Sequence, residues 1–356
     1  MRITAVQAIP LAIPFAPWDP PTSWYERLEG QLLIRVETDR GLVGWGESFA
    51  YGTGPAVAHI VERVLAPVVV GQDPSRIAWL HDRMQRVSRR AGHYGLAMYA
   101  LSGVDIALWD LAGKALGVPV AQLLGGISRP SVPAYGSHPH YATPQDAALG
   151  ALKSVESGFT MIKLHQTDLA SVAAVREAVG PEIDVMLDTN NPWTPSEAIA
   201  MAKQLAPYNL RWLEEPVWPP EDFAGLARVR AAATMPITLG ENACTVTEFR
   251  DILAAGAADV LQPSVTKSGG LTELQRVAIL AAAAGVPVIP HSFYFGPGLA
   301  ATVHLVASFT GDTPMEFPLG RLATPLLREP IEAQRGVVHL PEGPGLGVEI
   351  NPAVLA

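Results

Sequence analysis

The sequence predicts an α/β fold, a parallel β/α barrel preceded by a smaller α+β region. Three observations carry this. From about residue 130, short apolar runs alternate with Ala- and Leu-rich helical segments. Eight such runs recur at intervals of about 20–30 residues, the length of one strand–helix unit. The competing architecture, an open doubly wound sheet, lacks its usual mark, because no Gly-rich phosphate loop follows the first run.

In the N-terminal region, Arg2–Leu11 and Gln31–Thr38 read as strands, and DRGLVGWGES reads as a turn into a third. Segments 55–69 and 76–89 read as helices. A longer helix, MYALSGVDIALWDLAGKALG, carries Leu101, Val104, Ala107, Leu108 and Leu111 on one face, and Gly117 and Pro119 end it. The apolar start, MRITAVQAIPLAIPFAP, has the look of a secretory signal, but its alternation and its prolines at 10 and 14 make it a strand. No uninterrupted apolar run approaches the ~18 residues of a membrane helix. A soluble, cytoplasmic protein is expected.

The eight runs are VPAYGS (132–137), MIKLH (161–165), DVMLDTN (184–190), RWLEEP (211–216), ITLGEN (237–242), DVLQPS (259–264), VPVIPH (286–291) and PMEF (314–317). The end of the chain, GVVHLPEGPGLGVEI, reads as a strand and turn that pack back on the first region. With 356 residues, 49% hydrophobic and 17% charged, the chain can bury a large core. A net charge of −9 argues against nucleic acid or an anionic membrane as partner. The single cysteine, Cys244, excludes an internal disulfide framework and suits a reducing cytoplasm.

Carboxylates are costly at the end of apolar strands unless something positive meets them. Asp188, Glu214 and Glu241 end strands three, four and five of the barrel, each about one strand–helix unit from the next. Barrels collect their catalytic groups at these strand ends, so the three side chains can converge. Three hard oxygen donors suit Mg²⁺. Any one alone would be an ordinary strand-end charge capping a helix or meeting an arginine; three in register favour a shared ion. Glu215 should point away from Glu214, since strand neighbours alternate.

Lys163 and His165 lie two apart on strand two and project to the same side. Lys267 follows strand six, His291 ends strand seven, and Glu316 sits inside strand eight. A lone lysine is usually solvated and a lone histidine usually structural. Gathered around a carboxylate triad, these groups read as functional.

These motifs together make the chain resemble the enolase superfamily, in its mandelate racemase and muconate lactonizing branch, over essentially the whole length. The resemblance rests on KLH at 163–165, MLDTN at 186–190, WLEEP at 212–216, GEN at 240–242, KSGG at 267–270, PHSF at 290–293, MEF at 315–317 and PGLGVEIN at 344–351. It implies a modified TIM barrel, (β/α)7β, over residues 121–320, with an N-terminal α+β capping domain over 1–120 and a segment, 321–356, packing back on that domain. It also implies that Asp188, Glu214 and Glu241 hold one Mg²⁺, that Lys163 and His165 form the strand-two pair, and that Lys267 and His291 face them across the substrate. Asn190, Glu316, Trp24, Tyr51 and His138 are candidate substrate contacts. The expected partners are a small-molecule carboxylate and further copies of the chain in a homo-oligomer.

Removing the proton next to a carboxylate creates a dianionic ene-diolate, the intermediate that a Lys or His base and Mg²⁺ serve in this superfamily. Protonated Lys163 and Lys267 would reduce the negative excess around the ion. Lys163 is better placed to stabilise charge than to act as base. His165 is the first choice for proton abstraction, because histidine exchanges protons near neutrality. Glu316, if protonated, would donate to the substrate carboxylate. The chain departs from the family twice: strand two usually reads Lys-x-Lys, and racemase-like members pair the strand-seven histidine with an aspartate where this chain has Ser264. Without that carboxylate, His291 is expected to act as a neutral hydrogen-bonding group or weaker acid, and Lys267 gains weight as partner.

Trp18, Trp24, Tyr25, Phe49 and Tyr51, with Phe293, Tyr294 and Phe295, would line a pocket for a ring or a cation, while Asp19, Thr22, Glu26 and Arg27 suit a polyhydroxy acid. The leading reading is a Mg²⁺-dependent dehydratase of a hydroxylated (sugar) acid. The alternatives are a racemase, epimerase or cycloisomerase acting on a carboxylate, and a non-catalytic barrel that binds a metal-chelated carboxylate.

Overall fold

The computed structural model describes residues 1–22 and 30–355. Its first three strands, β1 (Ile3–Leu11), β2 (Gln31–Thr38) and β3 (Val43–Ser48), form an antiparallel sheet in that order. β2 reads QLLIRVET and is buried on both faces, so each side of its alternation has its own partner. Leu32, Ile34 and Val36 pack with α4 (Leu96–Leu116), while Leu33 packs with Leu322, Leu326, Leu327 and Ile350 near the end of the chain. α4 is long and apolar enough to cross a membrane by composition, yet 14 of its 21 residues are buried in the fold. Gly117 ends it in the left-handed conformation at φ 71°, as its sequence predicts.

β3 approaches α4 at glycines. A Cβ on Gly44 would lie 2.2 Å from the carbonyl oxygen of Ala107, and one on Gly46 would lie 2.0 Å from that of Gly103. The segment read as one helix over 55–69 is α1 (Gly54–Ile60), a π turn (Val61–Leu65) and α2 (Ala66–Val69) in continuous succession, and α3 (Ile77–Ser88) follows.

After the short α5 (Val120–Leu123), seven of the eight apolar runs become strands: β4 (Ser131–Ser137), β5 (Met161–Leu164), β6 (Asp184–Asp188), β7 (Trp212–Glu214), β8 (Ile237–Leu239), β9 (Val260–Leu261) and β10 (Met315–Pro318). They pair in parallel in chain order, and β10 returns to pair with β4. The run at 286–291 forms isolated parallel bridges instead, Leu261 to Val288 and Ser264 to His291. Its Pro287 and Pro290 have no N–H to give a ladder. Helices α6 (Pro144–Glu156), α7 (Leu169–Val179), α8 (Pro195–Leu205), α9 (Phe223–Ala232), α10 (Thr245–Ala255), α11 (Gly270–Ala284) and α12 (Pro297–Ser308) follow the first seven runs. Among the described residues no α-helix follows β10, which makes the barrel (β/α)7β.

The barrel interior is closed by Tyr135, Met186, Trp212 and Ile289, with Tyr135 edge-on to Trp212. Beyond β10, the hairpin β11 (Ala333–Gln334) and β12 (Val337–His339) adds to β4 in the antiparallel sense. The following turn is tied to α4 and α5: Leu346 N–H donates to Asp110 at 2.8 Å, and Val120 N–H donates to the Gly345 carbonyl at 2.8 Å. The chain beyond β10 therefore touches both the barrel and the first sheet.

Candidate active site

Register brings the carboxylates together. Asp188 and Glu214 are the last residues of β6 and β7 and lie opposite each other in the ladder. Glu241 follows β8 by two residues, and one oxygen from each of the three lies within 4.8 Å of the others. All three are buried. Three carboxylate oxygens at that spacing are a hard donor set that fits a divalent cation such as Mg²⁺.

Lys163, on β5, is the positive group this cluster requires. Its Nζ lies 3.0 Å from Asp188 Oδ2, 3.0 Å from Glu214 Oε1 and 2.8 Å from Glu316 Oε1, with the side chain fully buried. Burial works against its charge, but Glu214, Glu316 and Asp188 outweigh burial and hold the ammonium well above its ordinary range. Asp188 is held below the carboxylate range by Lys163 and His165 despite its burial. Burial, which Lys163 only partly offsets, and then Asp188 and Glu316 push Glu214 upward. Its second oxygen accepts from Trp212 Nε1 at 3.0 Å and Gln262 Nε2 at 2.8 Å.

His165 stands beside Lys163, with Nε2 3.2 Å from Asp188 Oδ2 and Nδ1 2.5 Å from the backbone oxygen of His138. A carbonyl only accepts, so Nδ1 carries a hydrogen, and Nε2 is the nitrogen that faces Asp188. On the other side of the cluster, Lys267 Nζ lies 3.1 Å from Glu241 Oε1 and 4.8 Å from the centre of the Phe49 ring. His291 Nε2 lies 2.8 Å from the other Glu241 oxygen. Burial opposes the Lys267 charge, yet Glu241 above all keeps its ammonium raised. The four basic side chains thus flank the carboxylates as two pairs, Lys163 with His165 and Lys267 with His291.

The remaining candidates divide. Glu316 was read as a donor to the substrate if protonated; in the structure its oxygens accept from Ser137 Oγ at 2.6 Å and Ser292 N–H at 2.7 Å. The charges of Lys163 and His291, with hydrogen bonds from Lys163 and Ser137, hold its carboxyl below the ordinary range against its burial. Asn190 is exposed beside the site at φ 51°, and its N–H donates to Asp188 Oδ1 at 3.1 Å. Tyr51 uses its hydroxyl on the Phe293 carbonyl at 2.8 Å, tying the strand-three loop to the strand-seven loop. His138 does not present its ring to the cluster: its nitrogens meet the Tyr141 hydroxyl at 2.9 Å and Ser154 Oγ at 3.1 Å, and its contribution is the carbonyl that holds His165. Trp24 lies outside the described residues. Trp18 and Asp19 dock nearby on Tyr141 and Lys153. Glu215, expected to point away from Glu214, has φ 47° and accepts from Gly240 N–H and Asn242 Nδ2 at 3.2 and 2.6 Å.

Sequence reasoning passed over Gln262 and Asn242. Gln262 carried a usable signal, a polar residue inside the apolar run DVLQPS, the same signal that exposes Glu214. Asn242 gave none, because its partners Glu215 and Lys267 come from elsewhere in the barrel.

Comparison with known proteins agrees with this fold. Residues 28–125 match the mandelate racemase / muconate lactonizing enzyme N-terminal domain, and residues 146–354 match the enolase C-terminal domain-like family. The D-galactarolactone cycloisomerase of Agrobacterium fabrum is 37% identical, with 99% of this chain and 97% of that protein aligned. The arabinonate dehydratase of Saccharolobus solfataricus is 34% identical, with 91% of this chain and 89% of that protein aligned. The crystal structure of the 3,6-anhydro-D-galactonate cycloisomerase from Zobellia galactanivorans superposes with a TM-score of 0.89 at 29% identity, covering 100% of this chain and 98% of that one. Matched at both ends and along its length, the chain belongs to the enolase superfamily, in its mandelate racemase and muconate lactonizing enzyme branch.

Proposed function

We propose that this enzyme abstracts the proton α to the carboxylate of a hydroxylated sugar acid and eliminates the β-hydroxyl as water, a Mg²⁺-dependent dehydration. The observation that supports this best is the flanking of a three-carboxylate cluster by basic groups on two sides, His165 on one and His291 with Lys267 on the other. Dehydration needs that asymmetry, a base at the α-carbon and an acid at the departing oxygen.

Asp188, Glu214 and Glu241 would hold one Mg²⁺, which when bound supplies electrostatic stabilisation of charge developing on the substrate carboxylate. His165 takes the α-proton at Nε2, its ring fixed by the Nδ1–H bond to His138, and Asp188 beside it stabilises the imidazolium. Lys163 keeps a positive charge next to the developing ene-diolate. The Cβ–O bond then breaks, the departing hydroxyl takes a proton from the His291–Lys267 side, and the enol product ketonises to a 2-keto acid.

A second reading, cycloisomerisation, is favoured by the 37% identity to a D-galactarolactone cycloisomerase. It begins with the same proton abstraction and differs in the leaving group, a ring oxygen that stays in the product. Incubation of an acid-sugar and sugar-lactone library with Mg²⁺ in D₂O separates the readings. A 2-keto acid formed with deuterium incorporation supports dehydration, and an isomer of unchanged mass apart from deuterium supports cycloisomerisation. Inversion of configuration as the sole outcome, or binding with no exchange, overturns the proposal.

A further inference from the structure

Lys163 and Lys267 lie on two sides of the carboxylate cluster and are held in place by different means. Lys163 lies within β5, and the ladders to β4 and β6 fix its backbone. Lys267 lies between β9 and α11, outside any strand. The turn that carries it closes through Gly269 and Gly270, at φ 121° and 79°, and two glycines in succession give a loop little stiffness of its own. Barrel residues secure one side of this turn, where Ser268 Oγ donates to the Ala243 carbonyl at 2.8 Å and accepts from Ser264 N–H at 3.1 Å.

The other side is secured from outside the barrel, by helices that pack on the first sheet. Ser102, on α4, accepts from Gly269 N–H at 2.9 Å, while its own hydroxyl hydrogen goes to the Met98 carbonyl at 2.6 Å. His81, on α3, places Nε2 2.9 Å from the Gly269 carbonyl oxygen, which only accepts, so the ring donates. Glu273 Oε2, at 3.7 Å, is too far to take that hydrogen, and Nδ1 faces Arg276 at 3.5 Å. Both His81 and Ser102 are fully buried, so water does not replace either bond. Gly269, two positions after Lys267, is thus gripped at its N–H and at its carbonyl. Asp105, also on α4, accepts from Thr272 N–H at 3.0 Å and from its hydroxyl at 2.6 Å, which fixes the start of α11 against the same helix.

We infer that Ser102 and His81 are positioning residues for Lys267, holding the turn at Gly269 so that Nζ stays at the carboxylate cluster. Without them the turn keeps its barrel-side bonds and loses the fixed direction of the peptides on both sides of Gly269. A group placed 1 Å wrongly can lose about a hundredfold in rate, so the two helices determine how well a basic group of the barrel works.

The kinetic consequence rests on the proposed reaction, in which Lys267 serves the departing oxygen; the pinning of the turn does not. The test therefore has two arms, both on the intact, Mg²⁺-loaded protein. In the first, amide hydrogen exchange is followed by mass spectrometry. His81→Leu removes the donor and Ser102→Ala the acceptor. Either should speed exchange in peptides covering 265–271 by roughly tenfold or more, with those covering β5 and α6 unchanged. His81→Gln, whose amide nitrogen reaches the place of Nε2, should restore the slow exchange of the parent. In the second arm, on any sugar acid that the parent turns over, His81→Leu should lower kcat roughly tenfold with KM within about twofold, and His81→Gln should recover most of the loss. Ser102→Ala, the smaller change, carries both arms if His81→Leu fails to fold. Unchanged exchange at 265–271, exchange raised equally throughout the protein, or faster exchange at this turn with kcat intact each overturns the inference. Absence of any turnover by the parent overturns the proposed reaction instead and leaves the exchange arm to decide this one.

Discussion

The seam where β3 crosses α4 and the mouth of the barrel are both dry, and they are built from opposite materials. At the seam, Gly44, Gly46 and Gly103 remove side chains so that backbones can touch; a Cβ on Gly103 would lie 2.2 Å from Ser48 Oγ. At the mouth, the buried carboxylates Asp188, Glu214 and Glu316 meet Lys163, and Glu241 meets Lys267. The seam gains stability from packing that is complete only in the fold, and it tolerates no added volume. The mouth keeps like charges together at a cost in stability, and what it gains is a site for chemistry. A change in volume should therefore damage the seam and the whole fold, while a change in charge should damage the mouth and spare the fold.

The largest effect should come from charge at the mouth. Glu214→Gln is expected to leave the melting temperature within a few degrees, to lower turnover by roughly a thousandfold, and to weaken Mg²⁺ binding greatly. Glu215→Gln should affect the metal much less, because that carboxylate is committed to Gly240 and Asn242. Calorimetric titration of both variants with Mg²⁺ checks this; equal losses in the two would break the division of labour drawn between adjacent glutamates.

Next comes volume at the seam. Gly46→Ala introduces a methyl group 2.0 Å from the Gly103 carbonyl oxygen, and backbone on both sides must shift. Its expected cost is about 3 kcal/mol of unfolding free energy, read by urea titration. The fraction that remains folded should bind Mg²⁺ normally. A variant as stable as the parent would show that the seam is looser than its geometry implies.

The smallest effect sharpens the comparison, because it concerns a charge that belongs to the seam. Glu47, on β3, accepts from Gly298 N–H at 2.8 Å at the start of α12. Burial pushes its carboxyl up to about 7 from an ordinary 4.5, against hydrogen bonds from Gly298, Gly296 and Phe295. A folded-state pKa above the unfolded one means that the folded protein holds the proton more tightly. The stabilisation is full below pH 4.5 and is lost as pH rises toward 7. Glu47→Gln removes that dependence, so its stability relative to the parent should rise by about 2–3 kcal/mol between pH 4.5 and pH 8. Parallel unfolding curves for the two proteins across that range would refute the shift.

The comparison also explains what could be read in advance. The strands carrying Lys163, Asp188 and Glu214 were legible because a polar residue at the end of an apolar run is costly unless it is used. The seventh run was legible as part of the barrel but not as a ladderless strand, although Pro287 and Pro290 mark it in hindsight. The partners of Glu316 were not legible, since Ser137, Ser292 and Lys163 come from three other parts of the barrel. His138 follows strand one, where alternation no longer fixes direction, and its ring turned toward Tyr141 and Ser154. Periodicity reports which residues a strand buries, while hydrogen-bond partners distant in sequence remain hidden until the sheet closes.

That closure has a consequence for synthesis. β4 has one edge against β5, and its other edge is shared end to end by β12 along Ser131–Pro133 and β10 along Ala134–Ser137. Ser137 and Glu316, which meet across that edge, are 179 residues apart. A ribosome adding ~5–20 residues per second leaves the edge of the first barrel strand unpaired for on the order of ten seconds or more. During that interval the nascent chain exposes a strand edge open to other chains. Its protection in the growing polypeptide falls to helices already made and to chaperones, until the final strands emerge.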